Sequence, residues 1–107
     1  MTTKEIVEVK IAKKLQEKAG DAKEIGAVIA IELTGEGAGR WIIDCTKEPA
    51  LVKADPSTAA QMTIIMEGPD LIKMVEGELS PQMAFLTGKV KVDGNLGLAI
   101  KLGQLLT

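Results

Sequence analysis

Cys45 is the one thiol in a chain of 107 residues that contains no histidine. That combination removes most side-chain chemistry at once. There is no imidazole to act as general base, to activate a serine or cysteine, or to ligate a metal. Cys45 ends an apolar strand pattern, Arg40–Cys45. A nucleophilic thiol needs an electropositive, exposed setting, so this one reads as a buried structural residue. The fifteen carboxylates show no helical pairing aimed at an apolar face and no calcium-hand spacing, and they read as solvated surface. Catalysis is therefore not expected, and neither a metal nor a cofactor is.

Two glycine clusters and a lysine pair are the other candidates. Gly35-x-Gly37-x-Gly39 matches half of a dinucleotide fingerprint, but no helix opens after it to receive a phosphate. It is expected to be a hairpin turn. Gly94-x-x-Gly97 does open a helix, whose amides could hold an anion, but a tight strand-to-helix turn is the favoured reading. Lys89 and Lys91 lie on the polar face of a strand, solvated and able to attract an acidic headgroup or a membrane surface. The net charge is −2, the lysines are spread along the chain, and Arg40 is the only arginine. With one Trp, one Phe and no Tyr to stack on bases, nucleic acid is not an expected partner.

These residues need elements to hold them. The first helix is expected from Thr2, with Glu5 completing a capping box, through Val7, Ile11, Leu15 and Ala19 to a stop at Gly20. Residues 27–33 form an apolar, β-branched run with both faces covered, which predicts a central strand. Arg40–Cys45 returns as its hairpin partner, with Trp41, Ile43 and Cys45 on one face. Residues 47–60 read mostly as connection, with one brief strand at Leu51-Val52, and Gln61–Glu67 alternates as a strand. Gly68-Pro69-Asp70 opens a helix over Leu71–Val75 that Gly77 ends. Ser80 caps a helix with Pro81 at its first position, Gly88 stops it, Lys89–Asp93 alternates as a strand, and Asn95 caps Leu96–Leu106. The order is helix, three or so antiparallel strands, two short helices, a strand and a helix. That order predicts an α+β fold. At this length residues 1–107 are expected to be one domain.

The stretch SPQMAFLTGKVKVDGNLGLAIKL, residues 80–102, resembles the signature of the sterol carrier protein 2 (SCP2) lipid-binding family, P-Q-x-A-F-x-x-G-K-x-K-x-x-G-N-x-G-L-A-x-K-L. Pro81, Gln82, Ala84, Phe85, Gly88, Lys89, Lys91, Gly94, Asn95, Gly97, Leu98, Ala99, Lys101 and Leu102 fit it at fixed spacing. From about Ile25 onward the rest of the chain also resembles the family; the first helix matches in type alone. The resemblance implies a five-stranded sheet covered on one face by helices, with an apolar tunnel between the layers. It implies non-catalytic binding and transfer of a fatty acid, fatty acyl-CoA or sterol-like lipid.

The same resemblance supplies site residues. Trp41 fits a strand position where Trp recurs. Met83, Phe85 and Leu86 belong to a helix beside the tunnel, and Leu98, Ile100, Leu102 and Leu105 to a C-terminal lid. Gln82 and Thr87 are the nearby polar groups for a headgroup. Met62, Met66, Met74 and Met83 spread over three elements, and thioethers suit adaptable apolar surfaces. Phe85 stands alone where relatives often have two adjacent Phe, so a sterol fits this interior less well than a fatty acid or acyl-CoA. The alternative is an accessory or dimerisation module with a collapsed cavity, working with a lipid-metabolising enzyme. Partners are thus a lipid, a transient membrane surface, and a second copy or an enzyme. The single Cys, the lack of a long apolar run, and an ending Leu105-Leu106-Thr107 unlike a peroxisomal address predict a cytoplasmic location.

Overall fold

A computed structural model describes residues 2–106. Thr2 caps the first helix as its spacing from Glu5 predicts, its Oγ1 accepting from the Glu5 N–H at 3.2 Å. The helix runs as α1 (Thr3–Glu5), a π-helical segment (Ile6–Ile11) and α2 (Ala12–Glu17). The wider π turn brings residues five apart onto one face, and Ile6, Val7, Ile11 and Leu15 are all fully buried. Gly20 does not stop it. The break falls at Lys18 (φ −118°, ψ 41°), and Gly20 sits inside a second helix, α3 (Ala19–Ile25). The glycine that ends helix formation is Gly26, left-handed at φ 60°, a conformation that costs other residues a clash at Cβ.

Five strands follow the predicted segments closely: β1 (Val28–Thr34), β2 (Gly39–Asp44), β3 (Leu51–Ala54), β4 (Met62–Glu67) and β5 (Val90–Asp93). Between β4 and β5 come α4 (Gly68–Val75) and α5 (Pro81–Leu86), and α6 (Leu96–Leu106) closes the described chain. The strands lie in the order β3-β2-β1-β4-β5, so β1 is central as its two apolar faces predict. One pairing differs from expectation. The β1–β2, β2–β3 and β4–β5 pairs are antiparallel, but β1 and β4 run parallel, Ile29 opposite Met62 and Leu33 opposite Met66.

The parallel pair needs the chain to cross from β3 at one edge to the far side of β1, and residues 55–61 make that crossing. Arg40 holds the crossing segment on the sheet face away from the helices. Its Nη1 donates to the Asp55 carbonyl at 3.0 Å, its Nη2 to the Thr58 carbonyl at 2.7 Å, and its Nε pairs with Glu32 at 3.4 Å. Asp55 shapes the turn by accepting from the Ser57 and Thr58 amides and the Thr58 hydroxyl. Ala30 and Ile42, on this same face, are buried at 0% and 2% exposure.

The opposite face is continuous and apolar: Val52, Trp41, Ile43, Ile29, Ile31, Met62, Ile64, Met66, Val90 and Val92. All the helices pack there, and the α+β sheet covered on one face is the observed architecture. Among the described residues no helix is long and apolar enough to cross a membrane.

Candidate functional site

Under α4, α5 and α6 the core does not close completely. A hollow of about 40 Å³ remains between the helices and the β1-β4-β5 half of the sheet. Ile31, Ile64, Met66, Val90 and Val92 form its floor. They come from alternate positions of three strands, the set that strand periodicity turns toward the helices. Leu71 and Met74 of α4 reach it, three residues apart on one helical face. Pro81 and Phe85 of α5 do so four residues apart. The roof is α6, through Leu96, Ala99, Ile100, Leu102, Gly103 and Leu106.

Local sequence sets each of these elements. Ser80 Oγ accepts from the Met83 N–H at 3.1 Å, with Pro81 at the start of α5, so both predicted cap signals are in use. Asn95 Oδ1 accepts from the Leu98 N–H at 3.1 Å and starts α6. A Cβ built at Gly103 would lie 2.7 Å from the Pro81 Cβ, closer than side chains approach, so only glycine lets α6 cross α5 this tightly. Lys101 Nζ pairs with Glu24 at 2.9 Å and ties α6 to α3.

The lining holds no charged or hydroxyl side chain, so the space offers dispersion contact and exclusion of water, and no proton transfer. At about 40 Å³ it has room for about one water molecule, well below the volumes of about 300–1,000 Å³ typical of ligand sites. A hydrocarbon tail fits only if a wall moves. The apolar space lies between sheet and helices, the layers between which the resemblance implies a tunnel, but at this size it is a hollow and not a tunnel. A wider depression of about 570 Å³ lies beside Thr2, Thr3, Glu36, Gly37, Pro69, Ile72 and Lys73. Its lining mixes Pro69 and Ile72 with two threonines and one charge of each sign, Glu36 and Lys73, and the Thr3 hydroxyl is already engaged by the Gly37 carbonyl.

Phe85, Ile100 and Leu102 line the hollow. The other expected site residues lie elsewhere. Trp41 is buried under the π segment, its Nε1–H donating to Glu8 Oε2 at 3.0 Å. Its ring covers Gly39, where a Cβ would come within 2.7 Å. Leu105 is buried against other parts of the core, and Leu98 is half-buried. Met83 and Leu86 point outward at 53% and 74% exposure, and Gln82 is exposed. The Thr87 hydroxyl donates to the Met83 carbonyl at 2.7 Å, which closes the end of α5 and engages its donor. The floor residues carried a usable signal, the alternation Met62-x-Ile64-x-Met66 and Val90-x-Val92. What the alternation lacked was which helix would lie over them. Of the four spread methionines, Met66 and Met74 reach the hollow.

Cys45 is fully buried, and desolvation followed by the neighbouring Asp44 charge pushes its thiol up to about 11. It stays protonated and unreactive at neutral pH. No group of His, Cys, Asp or Glu suited to a metal occurs among the described residues.

Residues 9–107 match the SCP-2 sterol transfer family. Hydroxysteroid dehydrogenase-like protein 2 of Mus musculus is 43% identical over 82 residues, 76% of this chain and 17% of that protein. Sterol carrier protein 2 of Rattus norvegicus is 36% identical over 99 residues, 89% of this chain and 18% of that protein. The chain thus spans under a fifth of the length of either relative. Among solved structures, the sterol carrier protein domain 2 of Helicoverpa armigera superposes with a TM-score of 0.70 at 27% identity, covering 89% of this chain and 81% of that one. Sterol carrier protein-2 from Aedes aegypti, solved in complex with a C16 fatty acid (palmitate), gives 0.74 at 24% identity over 100% and 96% of the two chains, a likeness of fold. The layered sheet, the apolar space under its helices and the match from residue 9 to residue 107 together show that this chain belongs to the SCP-2 sterol transfer family.

Proposed function

We propose that residues 1–107 act as one non-catalytic domain that binds a single-chain lipid, a fatty acid or fatty acyl-CoA before a sterol, and transfers it within the cell. The observation that carries this reading is the wholly apolar hollow between sheet and helices. Moving a hydrocarbon tail from water into such a space gains about 0.8 kcal/mol per methylene, or roughly 12 kcal/mol for 16 carbons. Part of that gain is spent on opening the hollow and on leaving a competing bilayer. Met66 and Met74 in the lining suit the opening, because an unbranched thioether can change rotamer to fit a new neighbour. Phe85, Ile100 and Leu102 would touch the tail. A headgroup would emerge near Gln82 and Thr87, on the exposed side of α5.

Binding energy drawn from methylenes makes affinity depend on chain length more than on headgroup. Displacement of a fluorescent fatty acid by unlabelled acids tests this: affinity should climb steadily from about C10 to about C16. No displacement, or equal affinity at every length, contradicts the proposal.

A second reading has its own support, since relatives more than five times longer than the matched segment carry a dehydrogenase-like name. In that reading the domain presents lipid to an enzyme, or docks on one or on a second copy of itself. Native mass spectrometry of protein from its own host separates the two readings: a bound lipid favours the carrier, and a lipid-free complex with an enzyme or a dimer favours the module.

A further inference from the structure

The sheet has two edges, β3 and β5, and they differ in charge. Val90–Asp93 pairs with β4 on one side, and among the described residues no backbone group of the strand bonds to anything on the other. Its outward N–H and C=O groups are therefore open to another strand. Val90 and Val92 face the helices and floor the hollow. Lys91 and Asp93 lie on the opposite face, with Lys89 preceding them in the same alternation, and all three are exposed. None of the three takes part in an ion pair among the described residues.

Charge makes this edge complementary to itself in one register. Two copies of an edge strand meet antiparallel about a two-fold axis, and opposed residues share a face, so alternate registers alone keep the valines together. With Lys91 opposite its own copy, like charges meet on the axis. One step back, Lys89 opposes Lys91 twice. One step forward, Val92 meets Val92 of the partner subunit, and Lys91 meets the partner's Asp93 on both sides of the axis. Opposite charges then face each other in both charged pairs. β3 has no such match: Leu51 and Lys53 stand on its corresponding face, and Lys53 is already paired with Asp55 at 3.6 Å. Apolar surface lies beside the β5 edge as well. α5 packs on β5, and its Met83 and Leu86 are 53% and 74% exposed on the side of the helix opposite Pro81, which meets α6 at Gly103.

We infer that β5 is the interface for a second copy of this chain, joined edge to edge with Val92 on the two-fold axis and Lys91 paired twice with the partner's Asp93. The two sheets become one continuous sheet, and the two α5 helices flank the axis, where each covers part of the other's Met83 and Leu86. The two hollows, each floored by Val90 and Val92, come to lie on either side of the axis. Such a dimer goes beyond the lipid-carrier reading and forms whether or not the hollow holds a tail.

Sedimentation equilibrium tests the interface through charge reversal. The wild-type average mass should rise toward twice the monomer's with concentration, and added salt should weaken the association. Lys91→Glu and Asp93→Lys each set like charges opposite one another in both pairs, and each should raise the dissociation constant about tenfold. An equimolar mixture of the two variants regains opposite charges in both pairs and should associate as the wild type does. So should the double variant carrying Lys91→Glu and Asp93→Lys together. Both positions are exposed, so circular dichroism spectra and denaturation midpoints should not move. Lys53→Glu, on the other edge, should leave association unchanged. A wild type that stays monomeric to about 1 mM, single variants that associate as well as the wild type, or a mixture that fails to associate overturns the inference. Displacement of a fluorescent fatty acid keeps the two readings apart. If displacement persists while association fails, the interface alone is lost; if association holds and no fatty acid binds, the carrier reading alone falls.

Discussion

Two helices wall the same hollow and are held in opposite ways. α6 buries Ala99, Leu102, Gly103, Leu105 and Leu106, packs against α2, α3 and α4, and is tied to α3 by Lys101–Glu24. α5 buries Ala84 alone and turns Met83 and Leu86 to solvent. The helix expected to be a lid, α6, is the anchored wall, and the short helix before β5 is the loose one. Burial decides which wall yields first, because local opening costs least where fewest apolar contacts are lost.

The largest expected effect falls on the anchored side. Leu102→Ala removes a fully buried side chain and should lower stability by about 3 kcal/mol, read from the denaturant midpoint. A loss as small as that of an exposed substitution would mean that α6 is as loosely held as α5. Gly103→Val attacks the contact between the two helices. Its side chain meets Pro81, so it should cost about 2 kcal/mol and, by pushing α5 outward, speed uptake of a fluorescent fatty acid in stopped flow. Slower uptake would place the moving wall elsewhere.

How far the sequence disclosed this layout differs between the two walls. Caps were readable because they are local: Thr2, Ser80 and Asn95 each bond the amide three residues on. Strand faces were readable from alternation. The parallel β1–β4 pairing was not, since it depends on residues 55–61 crossing the sheet under Arg40, a long-range arrangement with no period of its own. The break at Lys18 in place of Gly20 escaped because no glycine or proline marks it: α2 ends there at a lysine with φ −118° and ψ 41°. Of the expected site residues, Phe85, Ile100 and Leu102 face the hollow because helical spacing puts them there. Met83 and Leu86 share a helix with Phe85 but lie on its other side, a difference that a motif match does not contain.

Smaller effects sharpen the contrast between the filled and hollow halves of the core. Trp41→Phe keeps the packing but leaves Glu8 without its indole donor, and should cost about 1 kcal/mol of stability. Fatty-acid affinity should stay within about twofold, because Trp41 lies outside the hollow. A large loss of affinity would move the binding space toward β2.

The smallest effect is a pH dependence at Cys45. Burial raises its folded-state pKa to about 11 from an ordinary value of 9.0, so the folded protein favours the thiol. The resulting stability is complete below about pH 9 and drains as pH rises toward 11, because the unfolded chain ionises first. Denaturation midpoints at both ends of that window should fall further for the wild type than for Cys45→Ala. Parallel falls would show that the thiol is not desolvated.

The most direct measurement of the central claim is isotope-edited nuclear Overhauser spectroscopy with 13C-labelled palmitate. The account predicts contacts from the chain to the Ile64, Leu102 and Leu106 methyls and to the Phe85 ring, with none to Trp41. Contacts confined to the exposed Met83 and Leu86, or none at all, would show that the space beneath α5 and α6 does not accept an acyl chain.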